Sequence, residues 1–204
     1  MRLAARLALA AALAACGEAG GPPPQGPPPP EGPVSEVARY LPFTDNHVYA
    51  YRTQDRVKGT SGALMLRVRR RAIGGVELLG GARTQRVVAD EDGIKRDPEG
   101  TYMLRTPVAV GTSWRTGLTS TARIAAVDRP VKVPAGSFDR CVVVVEERGG
   151  PAVRGKITTT FCLDVGIVSI ETEGEGGENA EPISERVELK SFGPAVDLNA
   201  PPPR

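Results

Sequence analysis

Between Ser35 and Phe192 the apolar residues recur at every second position, and no stretch sustains the 3.6-residue repeat of a capped amphipathic helix. Leu64, Leu66 and Val68 fall on one face of a segment whose other face carries Met65, Arg67 and Arg69. The same alternation predicts strands at His47 to Arg52, Val87 to Ala89, Ile94 to Arg96, Thr101 to Arg105, Leu118 to Val127, Val131 to Val133, Phe138 to Glu147, Lys156 to Leu163, Gly166 to Glu173 and Ser184 to Phe192. Val76 to Leu79, between the pairs Gly74-Gly75 and Gly80-Gly81, reads as a short strand or turn. Asp92-Gly93 is the residue pair that a two-residue type I′ hairpin demands. Short strands separated by turn signals every eight to twelve residues predict an all-β fold. It should be a single antiparallel domain of about nine to eleven strands, a curved half-barrel or barrel-like sheet with little helix. The 24 glycines and 19 prolines suit turns and linkers rather than helices, and aromatics at 4% leave the core to Val, Leu, Ile and Ala.

One hairpin can be registered without a structure. Pairing residues whose numbers sum to about 303 sets Glu147 opposite Lys156, Val145 opposite Thr158, Val143 opposite Thr160 and Cys141 opposite Cys162, with Gly149-Gly150-Pro151 in the loop. Opposed charges across a ladder contribute ~0.2–1 kcal/mol. The register also predicts a Cys141–Cys162 disulfide in an oxidising compartment, the alternative being two buried free thiols.

The N-terminus is a targeting segment. Arg2 and Arg6 precede an apolar run from Leu7 to Ala15, too short to span a bilayer, where ~20 apolar residues are needed. Leu13-Ala14-Ala15-Cys16-Gly17 resembles the lipobox of bacterial lipoproteins. That resemblance implies that residues 1–15 are a cleaved signal peptide and that Cys16 is lipidated with two or three fatty-acyl chains. Two or more such chains hold a protein firmly in a membrane. An ordinary secretory signal with a chance cysteine is the alternative. Cys16 aside, two cysteines remain, so no thiol is left without a partner. The expected location is the cell envelope, outside the cytoplasmic membrane. Glu18, where an aspartate would signal retention, resembles release to the outer membrane in a host with two membranes.

Residues 16–34 form a spacer in which Pro22, Pro23, Pro24, Pro27, Pro28, Pro29, Pro30 and Pro33 favour polyproline II, ~3.1 Å per residue. Residues 35–192 are the β-domain. Residues 193–204, with Pro194, Pro201, Pro202 and Pro203, read as a disordered tail.

Several chemical motifs dissolve on inspection. Gly150 to Ile157 nearly spells a phosphate-binding loop, but Ile157 stands where the magnesium-binding hydroxyl belongs and no helix follows. Asp90-Glu91-Asp92-Gly93 lacks the first and the bidentate last ligands of a calcium loop. Glu171, Glu173, Glu175, Glu178 and Glu181 read as solvated loop charge, with a loose cation site as the alternative. His47 is the one histidine, which excludes paired-histidine metal sites, and no nucleophile motif is present. Arg67, Arg69, Arg70 and Arg71 read as a charged strand face that discourages edge association, with contact to lipid headgroups or anionic polymers as the alternative. Without Arg2 and Arg6 the side-chain charges sum to zero, against a nucleic-acid binder. No catalytic residue, metal or cofactor is expected.

Tyr40-Leu41-Pro42-Phe43 with Asn46 to Tyr51, Pro107 to Trp114, and Val131 to Phe138 running on to Cys141 resemble a diffuse group of bacterial exported β-domains of unknown function, many of them lipoproteins. Phe161 to Val168 matches the closing signature of that group in part. The group is similar to half-barrel envelope lipoprotein carriers. The resemblance implies a curved sheet whose concave face binds an apolar ligand or partner segment, Trp114 being a core residue. The alternative is a structural or protein-interaction role with a filled core. A lipid or an envelope protein is the expected partner, besides the membrane reached through Cys16.

Overall fold

The computed structural model describes residues 36–42, 44–71, 75–149, 153–176 and 182–195, all within the unit Pro33–Arg204. The signal peptide, Cys16 and the spacer lie outside the described residues. A 3-10 helix, Glu36–Tyr40, precedes twelve strands. These are β1 (His47–Asp55), β2 (Thr60–Arg70), β3 (Val76–Gly80), β4 (Arg83–Ala89), β5 (Gly93–Asp97), β6 (Tyr102–Arg105), β7 (Ser113–Arg115), β8 (Ser120–Val133), β9 (Gly136–Gly149), β10 (Val153–Cys162), β11 (Gly166–Gly176) and β12 (Ile183–Pro194). The expected all-β antiparallel architecture is the observed one, with twelve strands rather than nine to eleven.

All twelve form one sheet in the order β6-β5-β4-β3-β2-β1-β12-β11-β10-β9-β8-β7. Each neighbouring pair is a hairpin in sequence except β1 and β12, which zip the two six-strand halves together from His47↔Pro194 to Asp55↔Glu185. The sheet curls until its two edges, β6 and β7, face each other. There the Trp114 indole Nε1–H donates to the Tyr102 carbonyl at 3.0 Å. A side chain therefore closes a seam that no backbone ladder bridges, and the sheet is nearly a barrel.

Four elements differ from the sequence reading. β7, three residues centred on the buried Trp114, is too short to show an alternation. The segments expected at Leu118 to Val127 and Val131 to Val133 are one long strand, β8, beginning at Ser120. Its ladder with β9 shifts register three times between Ile124 and Val131, with Asp128 and Arg140 at positive φ, so Pro130 sits at an irregularity instead of ending the strand. The Asp92-Gly93 hairpin is not a two-residue turn, because Asp92 does not take positive φ. Instead Asp90 Oδ1 accepts the N–H groups of Asp92 and Gly93, both at 3.0 Å, closing a three-residue loop. Gly93 is required there, since a Cβ would lie 2.2 Å from the Leu104 carbonyl oxygen. The expected tail begins two residues too early: Gly193 and Pro194 complete β12 opposite Val48 and His47, and the Ala195 N–H donates to Asn46 O at 2.9 Å. Proline fits there because Pro194 lies at a non-hydrogen-bonded position opposite His47, the next ladder bond being donated by Ala195.

An up-and-down sheet puts alternate turns at opposite ends. The proximal end holds the β2–β3, β4–β5, β6–β7, β8–β9 and β10–β11 connections and both chain crossings, at Asn46 and Ala195. The distal end holds the β1–β2, β3–β4, β5–β6 and β7–β8 turns. The 3-10 helix sits at the proximal end against β5 and β11, burying Val37, Tyr40 and Leu41 in the common core.

Candidate functional site: the concave face

The register defines the concave face row by row. Phe161, fully buried, pairs with Val142, and Leu189 pairs with Tyr51, so the proximal row is apolar. Tyr51 donates its hydroxyl to the Ile167 carbonyl at 3.0 Å, and burial pushes its pKa far up. Four residues distally, Ala122, Glu146, Ile157, Thr172, Glu185 and Asp55 form one continuous cross-strand row. Four of those six are polar or charged. The concave face is thus apolar at one end and polar at the other, rather than one continuous apolar trough. The alternation Leu64-Leu66-Val68 follows the same gradient: Val68 is buried at 1% exposure, whereas Leu64 is exposed at 36%.

The two halves of the sheet meet over this face. Arg96, Tyr102 and Met103 from β5 and β6 lie across from Ala122, Val144, Ile157, Thr159 and Phe161, and the void between them measures about 20 Å³. A single water needs about that much room. The proximal mouth is filled from two sides. The 3-10 helix covers one, and the β8–β9 tip folds over β12, with the Ala135 N–H donating to the Leu189 carbonyl at 2.9 Å. Phe138 from that hairpin joins Phe192 and Tyr49 in an aromatic cluster, Tyr49 and Phe192 stacking at 5.9 Å.

The opposite face is laced with charge. Arg69, Glu77, Arg86 and Asp97 are successive partners across β2 to β5. Glu77 accepts from Arg69 Nε at 2.9 Å and Arg86 Nε at 3.3 Å. The Arg69 hydrogen bond leads in holding its carboxyl below the ordinary range. Arg71 reaches Asp97 at 3.4 Å and Arg67 bonds Asn46. β2 lies between β1 and β3, so the arginine run does not guard an edge as expected from sequence. It stitches interior strands together. Glu171 is engaged by Arg186 at 3.3 Å and Arg56 at 3.6 Å, while Glu178 and Glu181 lie outside the described residues. Among the described residues no three metal-ligating side chains converge. Asp90 faces Lys95 at 2.6 Å, and although burial opposes ionisation, that ammonium and the two loop N–H groups hold its carboxyl below the usual range.

The registered hairpin is observed residue for residue, from Glu147↔Lys156 to Cys141↔Cys162. Cys141 and Cys162 are joined by a disulfide with S–S 1.99 Å, both fully buried. Glu147 turns to Arg123 on β8, 4.0 Å away.

No model of a known protein family matches the chain, and no curated protein sequence matches it. Solved structures resemble it in fold. One is a candidate exported protein with a YmcC-like fold from Bacteroides fragilis, 12% identical, with TM-score 0.44, covering 74% of this chain and 96% of its own. Another is a candidate lipoprotein from Parabacteroides distasonis, 13% identical, with TM-score 0.43, covering 76% of this chain and 98% of its own.

Proposed function

We propose that the chain is a lipid-anchored cell-envelope protein whose β-domain is non-catalytic and works through its surface on another envelope component, its interior holding no guest at rest. Of the two readings the sequence offers, the apolar-ligand binder and the filled-core interaction protein, the second is favoured by one observation. The void that Arg96, Tyr102, Met103 and Phe161 line between the facing halves of the sheet is about 20 Å³, whereas small-molecule sites run to ~300–1,000 Å³. The polar distal row adds to this, since an acyl chain passing it would strip water from Glu146, Thr172, Glu185 and Asp55.

The test is an organic extract of the β-domain, residues 35–195, exported in the native host without anchor and spacer and purified without detergent, examined by mass spectrometry, with titration of a fluorescent fatty acid. An empty extract and no saturable binding are expected; a stoichiometric lipid would overturn the reading. The anchor is tested separately. Cys16→Ser should abolish palmitate incorporation and processing. A variant that still fractionates with membranes through an extractable lipid would refute lipidation at Cys16.

A further inference from the structure

Where the sheet ends at β7, its outer face carries charge that nothing in the domain answers, and we infer that this edge binds the phosphate head group of an anionic lipid, with Leu118 entering the acyl layer beside it. Trp114 and Ala122 turn into the concave face and are buried, so their neighbours Ser113, Arg115, Thr121 and Arg123 project outward, all exposed. Ser113 pairs with Arg123 and Arg115 with Thr121, which makes the two arginines diagonal neighbours, a spacing of ~7–8 Å that long side chains bridge. With Val145 and Glu147 of β9 these residues line a cleft of about 400 Å³. That volume is ligand-sized, against ~300–1,000 Å³ for small-molecule sites.

Electrostatics set this cleft apart. Arginines on the outer face of interior strands are paired, Arg69 and Arg86 with Glu77 and Arg186 with Glu171. Arg115 lies on the edge strand, has a ladder neighbour on one side only, and makes no hydrogen bond or ion pair among the described residues. Arg123 is held loosely, 4.0 Å from Glu147, and both of those side chains are more than half exposed. Two guanidiniums against one carboxylate leave the cleft with an excess of positive charge. Two forked donors flanked by the hydroxyls of Ser113 and Thr121 match a tetrahedral oxyanion, which accepts from several sides at once.

The apolar half of the site lies next to it. Leu118, at the tip of the β7–β8 turn, is 99% exposed. Its turn is ordered: the Thr116 N–H donates to the Ser120 carbonyl at 3.0 Å, and the Gly149 N–H donates to the Thr119 carbonyl at 2.9 Å, tying the turn to β9. A leucine is therefore held out in water three residues from an unpaired arginine. Val57 and Ile183 are also exposed at this distal end. A basic cleft beside an apolar tip complements the head and the chain of an anionic amphiphile. The inference deepens the proposed function and rests on it for action through the surface.

The experiment uses the chain from residue 16 onward with Cys16→Ser, sedimented with vesicles of phosphatidylcholine alone or mixed with phosphatidylglycerol. Binding to the mixed vesicles and none to phosphatidylcholine is expected. Arg115→Ala and Arg123→Ala should each weaken it about five-fold, Leu118→Ser about ten-fold, and Glu147→Gln should strengthen it. Lys190→Ala removes the same charge from β12, away from the distal end, and should leave binding unchanged. No binding to the mixed vesicles would overturn the inference and leave the cleft to a protein partner. An equal loss in Lys190→Ala and Arg115→Ala would also overturn it, reducing the attraction to diffuse charge. Calorimetric titration with inorganic phosphate separates the two sources of the same chemistry: heat that Arg115→Ala abolishes, in a chain that ignores vesicles, would keep the anion and overturn the lipid. A lipid extracted from inside the β-domain would sink the filled-core reading and leave the vesicle comparison intact. A chain with an empty interior that ignores vesicles would sink this inference alone.

Discussion

Removing the Cys141–Cys162 bridge should cost about 3 kcal/mol through the unfolded state. The cysteines are 21 positions apart, and closing a loop of roughly that length removes chain entropy equivalent to a little over 3 kcal/mol at 25 °C. In the folded state the loop is the β9–β10 hairpin, held by ladder pairs from Arg154↔Gly149 onward, so little native structure depends on the covalent bond. Cys141→Ala with Cys162→Ala adds the lost burial of two sulfur atoms, on the order of 1 kcal/mol more. The loss is a large share of the ~5–15 kcal/mol of a typical domain. Guanidinium unfolding followed by the fluorescence of Trp114, the one tryptophan, would compare oxidised, reduced and double-variant protein. A lower midpoint with a modestly steeper slope is expected on reduction, because the opened chain exposes more surface. Equal midpoints for oxidised and reduced protein would refute the reasoning. So would quantitative alkylation of both thiols in denaturant without reductant.

Trp114→Phe removes the seam hydrogen bond to Tyr102 and should destabilise by about 1 kcal/mol; an unchanged midpoint, followed by circular dichroism, would show that the seam needs no bolt. Phe161→Ala, at a fully buried site, should cost about 3–5 kcal/mol, and a loss under 1 kcal/mol in urea unfolding would contradict the packed interior. The Arg39 hydrogen bond, then its charge, holds the Asp164 carboxyl below its ordinary value. The contribution of that pair is therefore present above about pH 4 and fades as pH falls through the lowered pKa. Asp164→Asn should flatten this part of the acid dependence of the urea midpoint, and identical profiles for the two proteins would exclude it.

The features readable in sequence were those carried by neighbours along the chain. The β9–β10 register was legible because opposed charges, the Gly149-Gly150-Pro151 loop and the two cysteines all agree on one pairing. The β1–β12 pairing was not, since nothing in His47–Asp55 names Ile183–Pro194 as its partner across the whole domain. The strands expected at Leu118 to Val127 and Val131 to Val133 are separate in the sequence because a register shift is a property of two strands at once. The 3-10 helix was missed because one turn cannot display a period, although Val37, Tyr40 and Leu41 stand at i, i+3 and i+4. The polar end of the concave face was hidden for a related reason. Glu146 and Thr172 fall in line with Ile157, on the same face as Phe161, only once three strands are aligned.

The β1–β12 junction has a consequence for how the chain folds. Every other strand pair joins sequence neighbours, so β1–β6 and β7–β12 can each assemble by local hairpin closure. The union of the halves alone demands contact between residues as distant as His47 and Pro194, and such non-local pairing is the slow step in β proteins. A circular permutant with Ala195 joined by a flexible linker to Glu36, so that the 3-10 helix is kept, and new termini between β6 and β7 would turn the sheet into one uninterrupted meander, its strand order matching its sequence order. The junction would then be another hairpin, and the permuted chain should fold faster than the natural one while reaching the same structure.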